Sequence, residues 1–297
     1  MDLETSLEPL DGGWSGETFL AEAGGERTVV RIFADPRHSP DAADIQASLL
    51  RLVRGLLPVP DVLEVRCADP VAGTPPLLVT EYVDGVRGDL LLADLGGDDL
   101  EAVGRAFGAV ARTLSRMPML WSGTFADAEL RIEPHDVWLP DWVELHAPAL
   151  GWPEDDLEAL RQVAADAAPL LGSPSRVCLV HSDLNPKNLL LDPDTLQVTA
   201  VLDWEFAHAG HPATDLGNLV RFDRDPRYLD GVLSGFLAEE STSRGAALDA
   251  ARTADLVALI ELAARRDANP IAARAHEHLR AIARSGDVHA LPAAESV

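Results

Sequence analysis

Polar and apolar positions alternate in steps of two early in the chain and recur in steps of three and four later. Residues 17–22 alternate, and 27–33 are β-branched and mostly apolar. Gly24-Gly25 between them predicts a hairpin, because glycine accepts the positive φ that a tight two-residue turn demands. From Pro40-Asp41 to about Leu57, Ile45, Leu49, Leu52, Val53 and Leu56 recur at helical spacing, and Pro58-Val59-Pro60 stops the pattern. Two more strands are expected at 62–65 and 77–82. The first third therefore predicts a small, mainly antiparallel sheet with one helix.

From Asp98 the period becomes helical, with Leu100, Val103, Phe107, Val110, Ala111 and Leu114 on one face. A loop rich in Trp and Pro is expected over 121–152, then a helix over 153–171. A short β-rich island spans 177–204, helices fill 213–285, and the tail after His289 is expected to fray. The expected fold class is α+β and bilobal. Residues 1–84 form a small antiparallel-sheet N-lobe, and 85–297 a larger, mainly helical C-lobe. The lobes join near Val83-Asp84-Gly85, with a cleft between them.

Composition narrows the function classes. The chain has 297 residues, 47% of them hydrophobic, enough for two lobes with buried cores. No stretch approaches the roughly 20 apolar residues of a membrane helix, and the acidic start Met1-Asp2-Leu3-Glu4 is not a signal peptide pattern. Cys67 and Cys178 alone suggest a reducing, cytoplasmic setting without disulfides. Lys plus Arg number 24 against 49 Asp plus Glu, a net charge of −25. Such a field repels nucleic acid and anionic membranes and attracts cations; general solubility explains it equally well. A nucleotide site in this chain must be locally positive.

The candidate chemistry lies in His181-Ser182-Asp183-Leu184-Asn185-Pro186-Lys187-Asn188, a polar loop between the apolar runs 177–180 and 189–191. Fifteen residues after Asn188, the run 198–202 delivers Asp203, Trp204 and Glu205. One carboxylate facing a hydroxyl, one amide and a second carboxylate at a strand end are what phosphoryl transfer requires, because its transition state is stabilised by positioning and charge. Magnesium prefers such hard oxygen ligands.

This pattern, H-x-D-x-x-x-x-N followed by a strand ending in D-W-E, resembles the aminoglycoside phosphotransferase and choline kinase family, relatives of the protein kinases. His181, Asp183, Asn188 and Asp203-Trp204-Glu205 match it, with Ser182 where the family commonly has Gly. Further landmarks follow in order: the glycine-containing segment 10–19, Pro58-Val59-Pro60, the hinge-like Glu81-Tyr82-Val83-Asp84-Gly85, and His211-Pro212-Ala213-Thr214-Asp215-Leu216. The resemblance implies a protein-kinase-like fold and a small-molecule kinase, with Mg²⁺ and ATP or GTP as co-substrate. It implies Asp183 as catalytic base and Asn188 and Asp203 as metal ligands. It further implies that Gly13, Ser15, Gly16, Arg31, Glu81 and Val83 contact the nucleotide. Lys187 is a phosphate contact or a solvated lysine. His181 and Asp215 are structural supports. Arg31 stands where the family commonly has lysine or arginine on its third strand, and Asp44 is the first candidate for its acid partner, with Asp41 and Gln46 as alternatives.

The acceptor is less constrained. Asp127, Glu129, Glu133, Asp136, Asp141 and Glu144 are interspersed with Trp121, Trp138 and Trp142. Carboxylates and indole faces attract ammonium groups, so Asp136, Trp142, Glu144 and Glu205 are candidate acceptor contacts; a solvated acidic loop reads the same way. The expected acceptor is the hydroxyl of a small cation, first an aminoglycoside or a basic cyclic peptide antibiotic such as capreomycin or viomycin, in a resistance role. Choline, an amino sugar or a macrolide are alternatives, and a nucleotide-binding pseudokinase is the alternative of another class. A monomer or homodimer is expected.

Overall fold

The computed structural model describes residues 6–10, 18–36, 38–69, 71–135, 137–171, 176–222, 225–238 and 241–292. Gly13, Ser15, Gly16 and Asp136 lie outside the described residues. The N-lobe sheet contains β1 (Ser6–Pro9), β2 (Thr18–Ala23), β3 (Glu26–Ile32), β4 (Val62–Arg66) and β5 (Leu77–Glu81), in the order β1-β2-β3-β5-β4 with every pairing antiparallel. Gly24 and Gly25 turn the β2–β3 hairpin at φ of 64° and 85°, as their sequence predicts. The helix α1 (Ala42–Val53) buries Ala43, Ala47, Leu49, Leu50 and Val53 against β4 and β5. It ends four residues before the expected Leu57, because Arg54 leaves helical geometry and Gly55 takes a φ of 83°.

The chain leaves this sheet at Glu81 and by Val86 is paired in the second lobe. There β6 (Val86–Arg87) adds to β11 (Leu189–Leu191), which pairs with β12 (Val198–Val201). Gly85 permits the crossing: a Cβ there would lie 2.8 Å from Thr199 Oγ1 and 3.0 Å from Leu190 Cβ.

The C-lobe continues with α2 (Gly88–Leu92), α3 (Gly97–Ser115), β7 (Pro118–Met119), β8 (Gly123–Phe125) and β9 (Ile132–Pro134). Next come α4 (Leu139–Leu150), α5 (Glu154–Leu171), β10 (Val177–Val180), β13 (His208–Gly210), α6 (Thr214–Val220), α7 (Pro226–Leu237), α8 (Arg244–Ala263) and α9 (Pro270–Ser285). The segment expected as a loop over 121–152 instead holds β8, β9 and α4. Proline does not break the helix at its start: Pro140 sits in the first helical turn, where its missing N–H costs nothing, while Leu139, Val143 and Leu150 are buried.

One core runs across both lobes, from Phe33 and Leu49 through Phe107, Leu184 and Trp204 to Tyr228; a second joins α4, α5, α8 and α9. Among the described residues no helix is long and apolar enough to cross a membrane.

The tightest seam is α3 against α7. Gly104 and Gly108 on one helix face Gly231 and Gly235 on the other, and a Cβ on Gly235 would sit 2.1 Å from the Arg105 carbonyl oxygen. Alanine there gains about 1 kcal/mol of helix propensity, but overpacking against backbone costs about 1–3 kcal/mol or more. Gly235→Ala is therefore expected to lose about 1–2 kcal/mol of stability in urea titration; an unchanged or raised midpoint would show that the two helices separate freely.

Candidate active site

Strand β10 is buried at Cys178, Leu179 and Val180 and delivers the polar loop at a fixed height. The loop is clamped from α6. The buried Asp215 carboxyl accepts the N–H of His181 at 2.9 Å on one oxygen and that of Ser182 at 2.8 Å on the other. Burial pushes the Asp215 carboxyl above its ordinary value, and the neighbouring His181 and the two N–H bonds pull the other way. One turn on, Asn218 Oδ1 accepts the Leu184 N–H at 3.1 Å, and its Nδ2 donates to Asp255 at 3.3 Å. Asp255 also holds the buried Arg221 at 2.7 Å. Burial pulls the Arg221 guanidinium down, but Asp255 outweighs it and keeps the pKa above the ordinary value.

Ser182 has a φ of 67°, in the left-handed region that costs a side chain. The glycine of the resembled pattern is thus a backbone requirement that Ser182 meets under strain.

His181 has no solvent exposure. Its Nδ1 accepts the Asp183 N–H at 3.3 Å and its Nε2 lies 2.8 Å from the Leu202 carbonyl. An N–H can only donate and a carbonyl only accept, so these partners put the ring proton on Nε2. The imidazole packs on Trp204 at 4.8 Å between ring centres, and it spans the loop and the end of β12.

The Asp183 carboxylate is held by two amides, Asn185 Nδ2 at 2.8 Å on Oδ1 and Asn188 Nδ2 at 2.8 Å on Oδ2. Among the described residues, Asn188 Oδ1 makes no hydrogen bond. Lys187 Nζ lies 3.9 Å from Asp183 Oδ2, and it is the one lysine among 24 basic residues, a composition signal that marks the loop independently of its motif.

Antiparallel pairing of β11 with β12 brings the two ends of the motif together. The Leu202 N–H donates to the Asn188 carbonyl at 2.9 Å, so the Leu202 peptide is held by Asn188 on one side and His181 on the other. Asp203 follows with φ 64° and ψ 65°. Trp204 is buried, with its indole N–H on the Val201 carbonyl at 3.0 Å, and it anchors a short 3₁₀ turn over Trp204–Phe206. Asp203 and Glu205, on either side of it, face one cation. Arg31 Nη1 meets Asp203 Oδ1 at 2.6 Å and Arg31 Nη2 meets Glu205 Oε2 at 2.5 Å. Burial, then the Asp203 charge, push the Glu205 carboxyl above its ordinary value, with Arg31 opposing.

The structure thus brings together Arg31, Asp183, Lys187, Asn188, Asp203 and Glu205, supported by His181 and Asp215. It does not pair Arg31 with α1: the Asp44 carboxylate instead lies 3.5 Å from the Cys67 thiol. Glu81 ends β5 with its N–H on the Asp61 carbonyl at 2.9 Å, and Val83 follows in the connection between lobes. Among the described residues, neither backbone polar group of Val83 is hydrogen-bonded. Of the acceptor candidates, Trp142 donates its indole N–H to Val257 of α8 at 3.0 Å, and Glu144 pairs with Arg161 of α5 at 2.6 Å. Glu205 belongs to the Arg31 cluster.

The family model described as "Phosphotransferase enzyme family" matches residues 6–248. Acyl-CoA dehydrogenase family member 11 of Mus musculus is 43% identical over 70 residues, which is 24% of this chain; the chain spans 9% of that relative's length. An aminoglycoside 3'-phosphotransferase of Streptomyces fradiae is 33% identical over 79% of this chain and 88% of its own. The structure of a microcompartment-associated aminopropanol kinase has the same fold, with a TM-score of 0.67 at 22% identity over 95% of this chain and 92% of that one.

The strained Ser182 gives a direct test of the loop. Ser182→Gly relieves left-handed strain but loosens the unfolded chain, so stability should stay within about 1 kcal/mol of wild type. Ser182→Val should lose about 1–3 kcal/mol, because a β-branched residue is costliest at positive φ. Chemical denaturation of the three proteins checks this, and equal midpoints for Gly and Val would contradict the strain.

Proposed function

Since the chain belongs to the phosphotransferase enzyme family, we propose that it moves the γ-phosphate of ATP or GTP to a hydroxyl of a small molecule. The observation that carries this reading is the single hydrogen-bonded unit of Asp183, Asn188 and Asp203, tied together through the Leu202 peptide. Asp183 takes the acceptor proton as the new O–P bond forms and the bond to the nucleotide's β-phosphate oxygen breaks. The two amides fix its carboxylate in place without supplying a proton of their own.

Asn188 Oδ1 and the Asp203 carboxylate are hard oxygen donors suited to Mg²⁺, and the guanidinium already seated on Asp203 supports a cation at this position. The ion supplies charge neutralisation for the nucleotide phosphates. Arg31 and Lys187 are the cations that meet the phosphates. Gly13, Ser15 and Gly16 would supply further phosphate contacts, and Glu81 and Val83, at the connection between the lobes, would meet the base. A cytoplasmic setting accords with the two free thiols.

For the acceptor, similarity to an aminoglycoside 3'-phosphotransferase supports a basic antibiotic and a resistance role. The acidic stretch supports it less than composition suggests, since Glu144 shares Arg161 with Glu154 and Glu158, and Asp127 pairs with Arg131. A second reading is an acyl-CoA compound as acceptor, supported by the local identity to an acyl-CoA dehydrogenase family member.

Asp183→Ala should lower turnover by at least about 100-fold while nucleotide affinity changes little, because the base acts on the acceptor; near-wild-type turnover would overturn its role. A panel of an aminoglycoside, capreomycin, choline, a macrolide and a hydroxyacyl thioester, read by mass spectrometry for phosphate gain, decides the acceptor. If the acceptor is a polycation, its KM should rise with salt, since screening acts over about 8 Å at physiological ionic strength. A neutral or anionic best acceptor would remove the cationic reading and leave the phosphotransfer.

A further inference from the structure

Arg31 is 13% exposed and reaches from the N-lobe strand β3 to two C-lobe carboxylates, Asp203 at 29% and Glu205 at 19% exposure. The two carboxylates flank one anchor: Trp204 between them is buried, bonded to Val201 and packed on His181. Helix α1 touches this turn, yet its Asp44 is directed to Cys67 rather than to β3. The acid that orients the β3 cation thus comes from the segment that carries Asp203.

We propose that Glu205 is a positioning residue: it holds Nη2 of Arg31, while Nη1 exchanges its bond to Asp203 for the nucleotide phosphates when nucleotide binds. This rests on the phosphotransfer reading. A guanidinium and a divalent ion on the same Asp203 carboxylate repel each other, so a cation taken up by Asp203 weakens the Nη1 contact. Entry of the metal-bound nucleotide therefore favours release of the Nη1 arm from Asp203. The Nη2 bond keeps the side chain in the cleft, where the released arm finds phosphate oxygens. The arrangement accounts for arginine at position 31. Its planar fork presents two separated donor groups to two partners, whereas an ammonium is a single point charge.

The test uses the full-length protein and the variants Arg31→Ala, Glu205→Gln and their combination. Two readouts are taken: denaturant unfolding without nucleotide, and titration with a fluorescent ATP analogue at fixed and varied Mg²⁺. Glu205→Gln should weaken analogue binding about tenfold, and the double variant should bind no more weakly than Arg31→Ala alone, because both changes break one unit. In the Arg31→Ala background, Glu205→Gln should leave the Mg²⁺ concentration for half-saturation unchanged. A shifted Mg²⁺ requirement there would make Glu205 a metal ligand and overturn the proposal, as would additive losses of affinity. The unfolding cycle is read apart from nucleotide. Additive stability changes would overturn the Glu205 anchor even if phosphotransfer stands. A wild-type chain that binds no nucleotide would overturn the phosphotransfer reading and the arm's exchange with it. Glu205→Asp, which keeps the charge on a shorter arm, should recover part of the binding lost in Glu205→Gln; equal losses would count against the ion pair.

Discussion

The candidate site hangs from the two hydrogen bonds by which Asp215 receives the N–H groups of His181 and Ser182. An uncompensated carboxyl in that interior would be costly, and the two donors supply the compensation. Once the backbone at His181 is fixed, its imidazole fixes the Leu202 carbonyl, and the Leu202 N–H meets Asn188. Asp203, Trp204 and Glu205 follow directly, and Arg31 ties the result to the opposite lobe. A chain of polar contacts therefore runs from the buried α6 to the half-buried Arg31 on β3. Its buried members, Asp215, His181 and the Leu202 peptide, each meet a partner, the condition under which buried polar groups specify one geometry instead of destabilising it.

Strain accompanies that chain. Ser182 and Asp203 both have positive φ without being glycine, and they lie on either side of the His181–Leu202 contact. Such conformations persist only where surrounding bonds over-determine them. Here Asp215 does so for Ser182, and the anchored Trp204 does so for Asp203.

The parts legible in the sequence were those with short-range signals. The β2–β3 hairpin announces itself through alternation and Gly24-Gly25, and Asp183, Asn188 and Asp203 through their spacing around two apolar strands. Helix α4 was hidden because tryptophan and proline imitate loop composition, although Pro140 opens that helix. The glycine seam of α3 and α7 was hidden because a glycine inside a helical pattern reads as a defect until its partner on another helix is known. Asn218 gave a fainter signal as a polar residue three positions after Asp215 on a short apolar helix. The partner of Arg31 was not legible at all. The resemblance placed the acid on the following helix, with Asp44 as first candidate, whereas Asp203 and Glu205 are 172 and 174 residues away and meet Arg31 across the two lobes.

The same distance between sequence and contact bears on charge. A balance of −25 suggests a surface waiting for cations, yet several of its carboxylates already have them. Arg161 draws in Glu144, Glu154 and Glu158, and Asp156 is held by Arg280 and Arg284. The chain makes nearly every such contact with arginine, whose fork suits fixed carboxylates. Its one lysine stands beside Asp183. Lysine at 187 meets one carboxylate with a point charge at 3.9 Å, whereas arginine at 31 spans two, Asp203 and Glu205, with its planar fork.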